Sequence, residues 1–210
     1  KIAEGRQEKL EQWATRAGLT TDAYLAACHA RMRVADKVPA AIDRLAETAR
    51  AVGAVMLSHD DRTLEERALY RERGVTVCEF PLSETVAADA KARGEPIVLG
   101  GPNVLRGGSH TGAMSATDAI RQGQCSVLAS DYYYPSLFHA AVHLARTGVR
   151  DLADAWALVS THAADAMALI DRGALHDGAR ADIVIADLSA ETPRVVGTIA
   201  GGRWTYRADI

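Results

Sequence analysis

Residues 51–104, AVGAVMLSHDDRTLEERALYRERGVTVCEFPLSETVAADAKARGEPIVLGGPNV, decide the fold, because strand-like and helix-like patterns alternate through them. The apolar run AVGAVML ends in His59, Asp60 and Asp61, the pattern of a buried strand that delivers polar residues at its C-terminal end. TLEERALYRERG then has helical spacing and closes on Gly74 as its C-cap. The unit recurs: VTVCEF is a strand, SETVAADAKARG a helix capped by Ser83, and PIVLGGPNV another strand ending in polar residues. Downstream, SATDAIRQGQ supplies a helix and CSVLASDYYY a fourth strand. Alternation at this spacing predicts a parallel sheet with its chemistry at the strand C-terminal ends.

Outward from this core the texture changes. Residues 4–17 and 20–51 carry apolar positions at helical spacing, and Pro39 marks a break between two helices. LFHAAVHLARTG and DLADAWALVSTHAADAMAL read as two more helices. From about residue 170, DRGALHDGARADIVIADL and RVVGTIAGGRWTY read as short strands between Gly and polar turns, a small β appendage. Four strand-helix units cannot close an eight-stranded barrel, and an open four-stranded parallel sheet is the alternative.

The 210 residues carry a net charge of -3, with 48% hydrophobic and 24% charged residues, which gives no basic surplus for holding nucleic acid. Cys28, Cys78 and Cys125 are widely spaced and form no CxxC pair, so neither a disulfide framework nor a thiolate zinc site is expected. A reducing cytoplasm fits best. No apolar run approaches the roughly 20 residues of a membrane helix, and KIAEGRQEKLEQW is a charged helical stretch rather than a signal peptide.

His59 at a strand end can ligate a divalent metal, with Asp60 and Asp61 orienting it or taking protons; a His that caps a turn is the competing reading. Asp131, after the run SVLAS, can bind metal and act as a general base on water. GGPNVLRGGSHTG gathers glycines around Asn103, Arg106, Ser109 and His110, a composition that lets backbone amides and a guanidinium approach an anion. It matches neither a Walker A loop nor GxGxxG, and a structural loop is the competing reading. His139 and His143 stand at i and i+4, but Ala140 replaces the Glu of a zincin, so they read as packed or partly exposed histidines. His162 reads as a helix cap.

Together SHDDRT (58–63), EFPLSETVAADA (79–90), GGPNVLRGGSH (100–110) and ASDYYYPSL (129–137) resemble, in order and spacing, the motifs of the ribose 1-methylphosphonate 5-triphosphate diphosphatase family of the amidohydrolase superfamily, and DRGALHDGARADIVIADL resembles that superfamily's return to a small β domain. The resemblance implies an α/β fold. Residues 1–169 would form the C-terminal half of a (β/α)8 TIM-type barrel, about its last three or four units, and residues 170–210 strands of the small β domain. It implies a metal-dependent hydrolase with a divalent ion, zinc or manganese in unknown number, that cleaves the triphosphate of a small phosphorylated sugar phosphonate and releases pyrophosphate. His59 would be the sixth-strand metal ligand and Asp131 the eighth-strand aspartate that binds metal and moves the water's proton. Asn103, Arg106, Ser109 and His110 would contact substrate, with Asp60 and Asp61 behind the ligands. No nucleic acid or membrane partner is implied, and a homo-oligomer stays open.

Two positions depart from the family pattern. Ala113 stands for an Asn, which removes one polar contact, and Thr161-His162-Ala163 stands for Asn-Pro-Ala, which alters a helix cap. The family's His-x-His pair, mid-barrel bridging residue and fifth-strand His are expected upstream of Lys1, so the chain as given is expected to hold metal weakly. A C-N hydrolase of the dihydroorotase or deaminase kind and a catalytically incomplete binding module are the alternatives, and Arg106 in its glycine-rich setting favours phosphate.

Overall fold

The computed structural model describes residues 7–107 and 114–208. The chain divides into two compact units, 1–48 and 49–210. The first is helical: α1 (Gln7–Arg16), α2 (Thr21–Met32), a 3₁₀ turn over Ala35–Lys37, and the start of α3 (Val38–Ala51). The break expected at Pro39 falls just before it. Pro39 lies in the first turn of α3, where a missing N–H costs no helical hydrogen bond. Thr20 caps α2 by accepting from the Ala23 amide.

The second unit is built on β1 (Leu57–His59), β2 (Val77–Glu79), β3 (Ile97–Gly100) and β4 (Val127–Ala129), paired in parallel in the order β1-β2-β3-β4. His59 lies opposite Glu79, and Gly100 opposite Ala129. Crossovers run through α4 (Leu64–Glu72), α5 (Glu84–Ala92), then α6 (Gly101–Arg106) with α7 (Ala116–Arg121). Thr63, Ser83 and Ser115 each accept a bond from the amide three residues on, which fixes where α4, α5 and α7 begin. Gly74 follows α4 at φ 85°, the left-handed residue its sequence position foretells.

Neighbouring strand residues face opposite sides, and in β3 and β4 both sides are largely buried, which is why these two strands are apolar, whereas the edge strand β1 buries only Ser58. Val77, Val98 and Val127 form one layer with Val55, Ala163 and Ala166. Cys78 and Ile97 meet Val86, Ala87 and Ala90 of α5 on the other side. Leu99 and Leu128 meet Ile120 of α7 and Ala140 and Leu144 of α8 (Ser136–Arg146).

Three stretches differ from the sequence reading. GPNV does not prolong a strand or sit in a loop: Gly100 is the N-cap of α6, Pro102 occupies its first turn, and Gly107 ends it at φ 75°. Residues 151–169 form two helices, α9 (Leu152–Ala157) and α10 (Thr161–Ala166), because the Leu158 carbonyl leaves the helical ladder to accept from Leu128 N–H on the edge strand β4, at 2.9 Å. In 171–188 only Ile183–Asp187 is extended.

That segment is β5, which joins β6 (Arg194–Ala200) and β7 (Arg203–Arg207) in an antiparallel sheet. Gly201 and Gly202, at φ 55° and 78°, make the tight β6-β7 turn that demands two left-handed residues. The Asp182 carboxylate anchors it through Gly201 N–H at 2.7 Å. Among the described residues no helix is long and apolar enough to cross a membrane. The three cysteines are free, and burial pushes the Cys78 and Cys125 thiols up to about 12, so both remain protonated packing groups.

Candidate active site

A cleft of about 290 Å³ opens at the C-terminal ends of the parallel strands. His59 enters it from β1, Phe80 from β2, Gly100 from β3 and Asp131 from beyond β4, joined by Asp60 and by Asn103 and Arg106 of α6. Asp60, Phe80 and Asp131 sit one or two residues past their strands, all with left-handed backbone at φ 61°, 48° and 51°. For a non-glycine residue this conformation costs on the order of 1 kcal/mol, and such positions gather where a chain must aim a side chain sharply. Here each turns the chain at the lip of the cleft. The turns are tied to the sheet, since Asp60 N–H bonds Glu79 O at 3.1 Å and Phe80 N–H bonds Val98 O at 2.9 Å.

His59 is half exposed, with Nδ1 3.4 Å from Asp60 Oδ1. Phe80 packs edge-on against its imidazole, with centroids 5.2 Å apart and planes at 75°. The carboxylate and the ring thus both neighbour the imidazole. Asp61 does not line the cleft. It is 1% exposed, accepts from Ser58 Oγ at 2.6 Å, and pairs with the fully buried Arg67 at 3.6 Å. The adjacent carboxylates of the HDD motif therefore separate, one toward the site and one into the core.

Arg67 is the centre of that core network. Its Nη1 donates to Ser58 Oγ at 2.9 Å and its Nε to Glu95 at 2.9 Å. Glu95 is shared with Arg71, which also reaches Asp89 at 2.8 Å. Burial opposes the Glu95 charge, but bonds from Arg71 and Arg67 outweigh it and hold the carboxyl below its ordinary value. Asp89 is lowered chiefly by the Arg71 bond. The network pins β1 to α4, α5 and the turn before β3, and so supports the strand end that carries His59.

Asn103 and Arg106 stand on a helix rather than in a glycine loop. The Asn103 amide is engaged at both ends: Nδ2 donates to Met114 O at 3.1 Å and Oδ1 accepts from Ala116 N–H at 3.0 Å. It clamps the start of α7 to α6, so its polar atoms serve the fold even as it lines the cleft. Arg106 donates to the Tyr132 hydroxyl, and its guanidinium carbon lies 5.9 Å from the Tyr132 ring centroid. Ser109, His110 and the altered position Ala113 lie outside the described residues.

His162 bonds Ser126 O through Nδ1 at 3.0 Å instead of capping its helix, and Thr161 Oγ1 donates to Gly173 O at 2.7 Å. His139 and His143 lie on α8 beside Arg146, away from the strand-end cleft. Sequence reasoning missed Phe80 and Tyr132. The aromatic run after Ser130-Asp131 was the available signal for Tyr132.

Strand order also revises one assignment. β1 and β4 are three strand steps apart, so if Asp131 follows the eighth strand of a barrel, His59 ends the fifth, not the sixth. Three steps place the backbones of β1 and β4 about 14 Å apart along a sheet, a gap that only the two side chains reaching into the cleft narrow. Among the described residues no group of three or more His, Cys, Asp or Glu stands close enough to hold an ion. His59 and Asp131 are suitable donor types facing one cleft, but the described residues do not by themselves fit a complete metal centre.

Parallel strands carrying polar residues at their C-terminal ends, joined by crossover helices, define an α/β fold with its cleft at the strand ends. Solved structures agree: an amidohydrolase from Thermotoga maritima MSB8 superposes with a TM-score of 0.58 at 17% identity, over 73% of this chain and 44% of its own. A prolidase complexed with N-methylphosphonate-L-proline gives 0.57 at 18% identity, over 80% and 48%. No protein-family profile matches the chain. In sequence, the alpha-D-ribose 1-methylphosphonate 5-triphosphate diphosphatase of Escherichia coli (strain K12) is 36% identical over 146 residues, 69% of this chain and 39% of its own length. The chain is thus similar in sequence to this diphosphatase over 146 residues, and in fold to these amidohydrolase and prolidase structures. It spans well under half of that relative.

Proposed function

We propose that the chain forms part of the active site of a diphosphatase that hydrolyses alpha-D-ribose 1-methylphosphonate 5-triphosphate to the 5-phosphate and pyrophosphate. The observation that carries this reading is the single cleft in which His59, Asp131 and Arg106 arrive from separate elements. On this reading residues 1–169 are barrel, and residues 170–210 belong to the small β domain.

The charges in the cleft fit a cation-assisted reaction. Asp60 and Asp131 place two carboxylates against the one guanidinium of Arg106 among the described lining residues, a balance that repels a bare triphosphate. A divalent cation, zinc or manganese, would offset that charge and polarise a phosphoryl oxygen. His59, with Asp60 and Phe80 beside it, and Asp131 are the donors this chain offers. Asp131 accepts the proton of the attacking water on a carboxylate oxygen, and Arg106 holds phosphate oxygens with its planar fork. Ser109 and His110 complete the substrate contacts. The product pyrophosphate leaves with the charge that Arg106 neutralised.

Arg106→Ala in the full-length protein is expected to lower kcat/KM for the triphosphate by about 10- to 100-fold, the worth of one charge-assisted bond, with little change in thermal stability because the side chain is exposed. Steady-state kinetics and a thermal melt check it. Unchanged kinetics would remove Arg106 from the phosphate site and reopen a C-N hydrolase reading.

A further inference from the structure

The turn after β4 points to a further residue of the substrate site. Tyr133 N–H bonds Ser130 O at 3.0 Å, so Asp131 and Tyr132 are the central pair of a closed turn, with Asp131 at φ 51°. That turn is anchored from below. Ser136 N–H bonds Tyr133 O at 3.0 Å, and Ser136 Oγ reaches Ser130 O at 3.4 Å. Ser136 is fully buried at the start of α8, against Gly101 at the start of α6. A Cβ on Gly101 would stand 3.0 Å from Ser136 Oγ, so the glycine permits the close approach of the two helices.

This contact fixes the distance between Tyr132, carried by the turn, and Arg106, carried by the last turn of α6. An exposed arginine ordinarily samples many rotamers, and ordering it on an anion has an entropic cost. Here the guanidinium already donates to the Tyr132 hydroxyl and lies over its ring. Tyr132 itself is 65% exposed, so it has no packing role that would explain its position.

We infer that Tyr132 is a positioning residue for substrate phosphate: it holds Arg106 over the cleft before the anion arrives, so that the turn bearing Asp131 sets both the proton acceptor and the anion clamp. The inference rests on the reading of Arg106 as a phosphate contact. It adds that the two residues act as a unit, and that Tyr132 acts through Arg106 alone.

A double-mutant cycle in the full-length protein tests this, with inorganic tripolyphosphate as the probe and calorimetric affinity as the readout. Tyr132→Ala is expected to weaken binding about 3- to 10-fold, Tyr132→Phe less because the ring remains, and Arg106→Ala about 10-fold or more. In the Arg106→Ala background, Tyr132→Ala should cause no further loss, which a merely structural role would not produce. A loss at Tyr132 that persists undiminished without Arg106, or no loss at Tyr132 while Arg106→Ala weakens binding, would overturn the positioning role and leave the Arg106 contact standing. No loss in Arg106→Ala would overturn both.

Discussion

Asp131→Asn in the full-length protein is expected to lower kcat at least about 100-fold while leaving the fold and the affinity for substrate nearly unchanged. Asp131 lies in a left-handed turn at the cleft lip, where Asn is among the few residues tolerated, so the turn and its hydrogen bonds should survive. An amide of the same shape cannot take the proton of an attacking water, and general-base loss is worth about 10²- to 10⁴-fold. Arg106 and Tyr132 are untouched, so KM should move little. Single-turnover kinetics with circular dichroism as a folding control checks this. More than about a tenth of wild-type kcat would contradict the role, since even the low end of that range is a hundredfold loss.

Arg67→Ala should destabilise the fold by about 3–5 kcal/mol, the effect of removing one member of a buried ion network, which leaves Asp61 with an unpaired buried charge and Glu95 with Arg71 alone. Arg67→Met should cost less when combined with Glu95→Gln, because the two changes together leave fewer buried charges uncompensated. The same network makes stability acid-sensitive. Glu95 and Asp89 titrate below their ordinary values of 4.5 and 3.8, so the unfolded chain binds more protons than the folded one as the solution is acidified. Their contribution is complete above those values and is lost as pH falls through the lowered folded values. Urea midpoints measured between neutral pH and about pH 3 should fall in the wild type and fall less in the doubly substituted protein.

The parallel sheet was legible because β2, β3 and β4 are short, mainly apolar runs, each followed by polar or turn residues and then by a helix. The strand ends of His59 and Asp131 followed from the same pattern. What the pattern lacked was information about contacts distant in sequence. Nothing local separates Asp60 from Asp61; their fates are decided by Arg67 on the next helix and Glu95, 28 positions beyond that arginine. Gly-Gly-Pro resembles a turn until Gly100 is seen to cap α6. The split between α9 and α10 depends on an edge strand that takes the Leu158 carbonyl. Asn103 resembled a substrate contact because its two hydrogen-bond partners lie 11 and 13 residues away. That His59 and Asp131 lie three strand steps apart required the sheet order itself.

On the proposed reading this cleft serves phosphoanhydride hydrolysis. The most direct test of that reading is product analysis by ³¹P NMR of alpha-D-ribose 1-methylphosphonate 5-triphosphate incubated with the full-length protein and manganese or zinc, after metal removal by chelation. Pyrophosphate and the 5-phosphate are expected in equal amounts, formed only with metal and suppressed by Asp131→Asn. Intact triphosphate under these conditions, or release of single orthophosphates in place of pyrophosphate, would contradict that reading.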